Sequence, residues 1–335
     1  MKKIRIALDI TVKNESKLLR NNLLYHYYLG VNKVYLYEDG SEDNTLATIL
    51  DLPFVEVNFS VAPEKYKHIN EYKEFVEKAA THHVARQNLN TKFSIEKARS
   101  EGYDWLISLD ADELICPDIT RSYPLQLHDF YKSIPFDIEL VRSQTLEVVQ
   151  MDRHYSNVFA EAKFFKIKSP SHRFWRLAYD PFQKRFFRTN GFYGQDMGKS
   201  SLRLRADAKP QTTHKFIRRD GSPLKREWRG FLLHYHCYNF EDFIRKYKNF
   251  STHPNIYLSG NPIESIKRLW RDIVNNHNFD NNYLKRYYKL WIAFNKLHIM
   301  YLQSRFRSLM VKRPSPIIKI DTIKYIFDKN IKHIK

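Results

Sequence analysis

With 335 residues, 43% of them hydrophobic, the chain can fill a sizeable core and falls outside the disordered class. Its two cysteines, Cys116 and Cys237, exclude a disulfide framework and suit a reducing compartment. The formal net charge of +19 seeks anions: nucleic acid, an anionic membrane surface or a phosphorylated substrate. Met1–Asp9 opens like a secretory leader, but Arg5 and Asp9 interrupt its apolar stretch. No signal peptide is therefore expected, and no apolar run reaches the length of a bilayer span. The expected location is cytoplasmic, with peripheral attachment to the inner face of the membrane left open.

In chain order, Lys3–Ile10 reads as a first strand and Thr11–Glu15 as a polar break. Ser16 is placed to cap a helix whose Leu19, Leu23 and Tyr27 recur at helical spacing, and Gly30 stops it. Val34–Tyr37 is a second strand, Glu38–Asn44 a loop, Thr45–Leu50 a short helix and Val55–Phe59 a third strand. This alternation predicts a parallel, doubly wound sheet. His68–Glu101 reads as helical, and Trp105–Leu109 as a buried strand running into Asp110, Asp112 and Glu113. Ile138–Val149 predicts one or two strands, with a further hairpin from Asn157–Lys168 and Gln183–Phe187. Gly191–Lys199 is a glycine-rich loop, Ser201–Arg205 a strand, and Phe231–Tyr238 a strand or turn carrying His234, His236 and Cys237. From Phe240 a helical series is expected to run to the end.

Acids in this basic chain are clustered. Glu38, Asp39, Glu42 and Asp43 form one group, and Asp110, Asp112 and Glu113 another. Carboxylates so close repel one another and need a cation, hydrogen bonds or raised pKa values to coexist. In open α/β sheets ligands sit beyond the C-terminal strand ends, where Thr11–Glu15, Glu38–Asp43 and Asp110–Glu113 all fall. No Gly-x-Gly-x-x-Gly follows the first strand and no Walker sequence occurs, so a Gly-rich phosphate cradle is not expected. The plain alternative for Asp110–Glu113 is a turn with a helix cap. For Glu38–Asn44 it is a turn in which Asp43 or Asn44 caps the next helix.

Val12-Lys-Asn-Glu15, the helix to Gly30, Val34–Thr45 and Trp105–Glu113 together resemble glycosyltransferase family 2. The resemblance is nearest to the branch related to family 92, whose members share a Val-Lys-Asn-Glu start and a Leu-Asp-Ala-Asp-Glu segment. His214, and His234-Tyr-His followed by Phe243 and Lys246, are similar to later family blocks. The resemblance implies a GT-A fold: an α/β, Rossmann-like, mostly parallel sheet that binds a nucleotide sugar, here with a C-terminal helical extension. On that basis residues 1–240 form the glycosyltransferase domain, with 1–116 the nucleotide-sugar half and 117–240 the acceptor half. A basic, aromatic helical region follows over 241–335. The resemblance further implies that Asp39 contacts the nucleobase, that Asp110 faces ribose or metal, and that Asp112 ligates Mg²⁺ or Mn²⁺. Thr11, Lys13 and Glu15 carry over as nucleoside contacts, and Arg86 or Gln87 as looser matches. Glu38-Asp39 stands where the family pattern has paired Asp, which leaves the role of Glu38 open.

Mg²⁺ and Mn²⁺ take hard oxygen ligands, few from protein and the rest from water and phosphate. His214, His234 and His236 are candidates for a further metal ligand or a diphosphate contact, although a lone histidine is more often structural. His236 shares a face with His234 if that stretch is extended. With Cys237 the pair matches no zinc spacing. Lys199 is a candidate phosphate contact, with a surface lysine as the alternative. Asp196 is the candidate base, with Glu147 and Glu161 as rivals, and Glu113 is left to brace its loop by accepting backbone hydrogen bonds.

The expected protein is a metal-dependent glycosyltransferase moving a sugar from a nucleotide-diphosphate donor to a hydroxyl of a glycan or glycolipid acceptor. Transfer with inversion, in cell-surface polysaccharide or lipopolysaccharide synthesis, is the family habit. One competing reading is a nucleic-acid-binding protein, prompted by charge, 22 Tyr and 23 Phe, but it leaves the acidic clusters unexplained. The other is a catalytically inactive glycan-binding relative. The C-terminal Lys267, Arg268, Trp270, Arg271, Lys285, Arg286, Tyr287, Tyr288 and Trp291 suit either an anionic membrane surface or a helical subdomain with a solvated charged face.

Overall fold

The computed structural model describes residues 3–168, 192–258, 260–305, 308 and 315–331. Four strands form its N-terminal half: β1 (Ile6–Val12), β2 (Lys33–Glu38), β3 (Val55–Phe59) and β4 (Trp105–Leu109). They lie in the order β3-β2-β1-β4 and all pair in parallel, with Leu8 opposite both Val34 and Ile107. β1 and β4 are covered on both faces, which is why they read as nearly unbroken apolar runs.

Helix α1 (Leu19–Leu29) ends at Gly30, whose φ of 112° lets its N–H turn back to the carbonyls of His26 and Tyr27. Ser16 does not cap it: the helix starts later, and the Ser16 N–H donates instead to Asp43 at 3.2 Å. The Thr45–Leu50 helix shrinks to a single 3₁₀ turn, Leu46–Thr48. The long helix expected over 68–101 is two, α2 (Lys73–Lys78) and α3 (His83–Ser100). The Ala79 carbonyl, which a continuous helix would give to the His83 N–H, is taken by Arg86 Nη1 at 2.6 Å. Helix α4 (Leu127–Lys132) stacks Tyr131 on Trp105 of β4, with ring centroids 4.6 Å apart.

The second half of the sheet is mixed. β5 (Glu113–Cys116) follows the turn after β4, and β6 (Leu140–Val148) lies further along the sheet. The first arm of the expected hairpin, 157–168, is a short helix, α5 (Val158–Glu161), followed by the strand β7 (Phe164–Lys166). The expected Gln183–Phe187 arm lies outside the described residues. β8 (Lys199–Arg203) runs antiparallel between β4 and β6, while β9 (Ala208–Thr212) and β10 (Lys215–Arg218) form a separate hairpin. β11 (Arg226–His234) is parallel to β6 and antiparallel to β5, which sets His234 opposite Glu113. The fold class is thus α/β as expected, with its parallel part concentrated in the first 116 residues.

Asn239 caps α6 (Phe240–Asn249) by accepting the Asp242 N–H. Helices α7 (Ser265–Val274), α8 (Asn281–Trp291) and α9 (Lys296–Gln303) follow. They enclose a second core in which Phe243, Trp270 and Tyr288 are completely buried. Those two tail aromatics, Trp270 and Tyr288, are therefore packing residues. The region is also not purely helical, because β12 (Ile317–Lys319) returns to pair antiparallel with β7. Among the described residues no helix is long and apolar enough to cross a membrane. Cys116 and Cys237 are both buried and free.

Candidate active site

A cavity of 350 Å³ opens beyond the C-terminal ends of β1, β2 and β4 and is closed on its far side by α6. The three strand-end stretches do converge there: Thr11, Lys13, Glu15, Asp39, Asp110 and Asp112 all line it, with Arg86, Gln87, His214 and His234. Asn14, between Lys13 and Glu15, clamps the rim. At a φ of 57°, which asparagine tolerates, its N–H donates to Ser41 Oγ at 3.0 Å. Its side chain accepts the Glu42 N–H at 2.7 Å and donates to Asn249 of α6 at 3.0 Å. Asp43 adds a second tie, accepting from Thr45 N at 3.0 Å as well as from Ser16. Glu38 accepts the Ser41 N–H.

Each carboxylate on the wall has a lysine or arginine partner. Asp39 is held bidentately by Arg86, with Nε and Nη2 each 2.7 Å from a carboxylate oxygen, and also accepts from Ser60 at 2.7 Å. Glu15 pairs with Arg245 at 2.7 Å, and burial pushes its carboxyl up to about 7. Asp110 accepts from Gln87 at 2.6 Å and from Lys199 at 3.0 Å. Burial opposes the charge on Asp110, but Lys199 overcomes it and holds the carboxyl below its ordinary range. Asp112 pairs with Lys246 at 2.5 Å and lies 3.4 Å from His234 Nε2. Against burial, the charge of Lys246 and then the proximity of His234 hold Asp112 well below the usual carboxylate range.

Beneath them Glu113, fully buried, accepts the Asp110 N–H at 3.0 Å and the Gln195 amide at 3.1 Å. Burial pushes its carboxyl up to about 7. Glu113 thus braces the acidic turn, while Lys199, buried and not on the cavity wall, bridges it to Asp110. Lys199 meets carboxylates, whose charge lifts its pKa above the usual lysine value despite burial.

Asp112, His234 and His236 offer ligand atoms that all lie within 4.8 Å of one another. Among the described residues, neither ring nitrogen of His236, nor Nδ1 of His234, has a hydrogen-bond partner. Burial holds His236 well below the usual histidine pKa, so its imidazole is neutral and able to ligate. Gly194 makes this possible, since a Cβ there would stand 2.5 Å from His234 Cε1. His214 lines the cavity but stands outside this group. Its Nδ1–H donates to the Gly198 carbonyl at 3.0 Å, and burial lowers its pKa to about 3. Asp110 is likewise outside the group, engaged by Gln87 and Lys199.

None of the three candidate bases is on the wall. Asp196 pairs with Lys168 at 3.0 Å. Glu147 is fully buried, 2.5 Å from Lys166, and accepts the Tyr193 N–H at 2.9 Å. Glu161 accepts the Asn157 N–H at 2.8 Å at the start of α5 and pairs with Arg153. Residues not singled out from sequence include Arg245 of α6 and an aromatic wall of His83, Phe250 and His253. The His83 and His253 centroids lie 4.7 Å apart, and Phe250 stacks on His253 at 5.0 Å. Lys246, noted with Phe243 after the His-Tyr-His run, is the signal in the sequence that pointed toward this helix.

Two Arabidopsis thaliana proteins named glycosyltransferase-like are similar to this chain. One is 27% identical over 236 residues, covering 67% of this chain and 52% of its own length. The other is 25% identical over 237 residues, covering 67% and 45%. The chain thus spans about half the length of the curated relatives it matches. Among solved structures, glucosyl-3-phosphoglycerate synthase from Mycobacterium tuberculosis in complex with phosphoglyceric acid matches with a TM-score of 0.29 at 12% identity, covering 60% of this chain and 57% of that one. Its complex with Mn²⁺, uridine-diphosphate and phosphoglyceric acid gives 0.29 at 12%, covering 60% and 56%. An overlap of this size leaves the fold to be read from the chain's own strand order. No family model matches the chain.

Proposed function

We propose that this chain is a GT-A-type glycosyltransferase that binds a nucleoside-diphosphate sugar in the strand-end cavity and transfers the sugar to an acceptor hydroxyl. The observation that carries the reading is the convergence of Thr11–Glu15, Asp39 and Asp110–Asp112 on one cavity. The two glycosyltransferase-like relatives support it. His83, Phe250 and His253 offer an aromatic face to the nucleobase, beside Asp39 with its Arg86. Thr11, Lys13 and Glu15 line the nucleoside end, and Gln87 and Asp110 the neighbouring ribose position. Arg245 and Lys246 bring positive charge to the diphosphate end.

The donor set fits a divalent cation. A carboxylate and two imidazoles converge, and the buried nitrogens of His236 have no hydrogen-bond partner among the described residues. Asp112 would hold the ion with His234 and His236, in place of the expected Asp110 and His214. Two nitrogen ligands suit Mn²⁺ better than Mg²⁺, which favours oxygen. When bound, such an ion neutralises charge that builds on the departing diphosphate. For the acceptor, a glycan or glycolipid hydroxyl with inversion at the sugar carbon follows the family habit. A thermal-shift screen of uridine, guanosine and adenosine diphosphates with Mn²⁺ tests the reading. At least one should raise the melting temperature by several degrees, and less so without the ion. If none does, the donor site is refuted.

A further inference from the structure

A second cavity, of 220 Å³, lies at the start of β6, against the β9–β10 hairpin and the first residues of β11. It shares no lining residue with the first. Among the described residues its charged lining is Arg142, Lys215 and Arg226, with no acid. Arg142 is only 6% exposed, and its guanidinium sits 4.4 Å above the Trp228 ring. Nη2 donates to the Met197 carbonyl, but the buried Nε has no hydrogen-bond partner among the described residues. The acids adjacent in sequence are committed elsewhere, Glu139 to Arg218 at 2.5 Å and Glu227 to Arg229 at 3.7 Å. Burial and the charge of Arg226 both push the Arg142 pKa down.

A buried guanidinium with an unpartnered N–H, on a cavity whose described lining adds two further cations and no carboxylate, is costly unless an anion offsets its charge. A chance surface lysine patch lacks such a group. Trp228 stacking fixes the plane of the guanidinium, which prepares its fork for a tetrahedral oxyanion. We propose that this cavity is a second binding site, separate from the first, for a phosphate-type oxyanion held by Arg142, Lys215 and Arg226. Leu140, Phe216 and Leu224 supply an apolar wall beside it, so the bound group belongs to a small soluble molecule rather than to an extended surface. Gln211 offers a further polar contact at the cavity wall.

Inorganic phosphate titrated calorimetrically into the 335-residue chain tests this, alongside Lys215→Gln/Arg226→Gln and Arg142→Met. Arg226 is exposed and Lys215 partly so, so the double variant should fold even if Arg142→Met does not. Saturable binding by the wild type, weakened about tenfold or more by the double variant, supports the site. Because these side chains do not line the first cavity, such weakening cannot come from phosphate bound there. A wild type that does not bind phosphate, or variants that bind it equally well, overturn the proposal. Phosphatidylcholine vesicles containing phosphatidic acid form the second arm. Vesicle binding that needs Lys215 and Arg226, without binding of free phosphate, also overturns it.

Discussion

The acidic and basic sides of the first cavity come from different parts of the chain. Its wall acids, Glu15, Asp39, Asp110 and Asp112, lie on loops of the parallel half. Except for Arg86, their cations come from the later half: Lys199 from β8, Arg245 and Lys246 from α6. The acids cluster locally because each follows a neighbouring parallel strand. Their partners are scattered because only the tertiary fold brings them across. The later half therefore makes the early half's charge density tolerable, and it does so where a phosphorylated ligand or a cation would compete for the same groups.

The sharpest way to break this comparison is to remove a buried cation and leave its acids. Lys199→Met should cost about 3–5 kcal/mol in urea denaturation, since Glu113 and Asp110 then lose their shared partner. A cost below about 1 kcal/mol would show that the acids do not depend on it.

Asp9 tests a buried carboxylate on a strand of the early half. It is 2% exposed on β1, bonded to Thr91 at 2.8 Å, and burial pushes its carboxyl up to about 7. The native state thus holds this proton more tightly than the unfolded chain does. The resulting stability is complete below the ordinary value near 3.8 and is lost as pH rises through about 7. Asp9→Asn should gain about 1–3 kcal/mol relative to wild type between pH 5 and pH 8. An unchanged difference at the two pH values contradicts this.

At the seam between the halves, Asn14→Ala loses the bonds to Glu42 and Asn249 and puts an alanine at positive φ. Denaturation should report a loss of about 1–2 kcal/mol. Asn14→Gly should recover the backbone part of it. Away from the cavity, the exposed Arg20–Asp51 pair serves as the control. Arg20→Ala should cost less than about 1 kcal/mol, and a larger cost would mean that charge pairs throughout this chain, not only the buried ones, carry its stability.

The parallel half was legible because its strands are continuous apolar runs and its loops gather like charges, signals contained within a few residues. Gly30 ends α1 as read, for the same local reason. What was not legible depends on distant partners. Ser16 gave its backbone to Asp43 instead of capping α1, and Arg86 took the carbonyl that would have joined α2 to α3. Glu147 reads from sequence as a free carboxylate, yet Lys166, Tyr193 and Gly194 enclose it. His236 is a candidate ligand in the sequence on the premise that it extends the strand of His234; β11 ends at His234, and the residues after it still carry His236 to Asp112.

The most direct test of the central claim is sugar-nucleotide turnover with Mn²⁺, read as released nucleoside diphosphate, in wild type and Asp112→Ala. The proposed site predicts turnover in the wild type and a loss of about 100-fold or more in a variant that remains folded. Turnover that survives the substitution would contradict it.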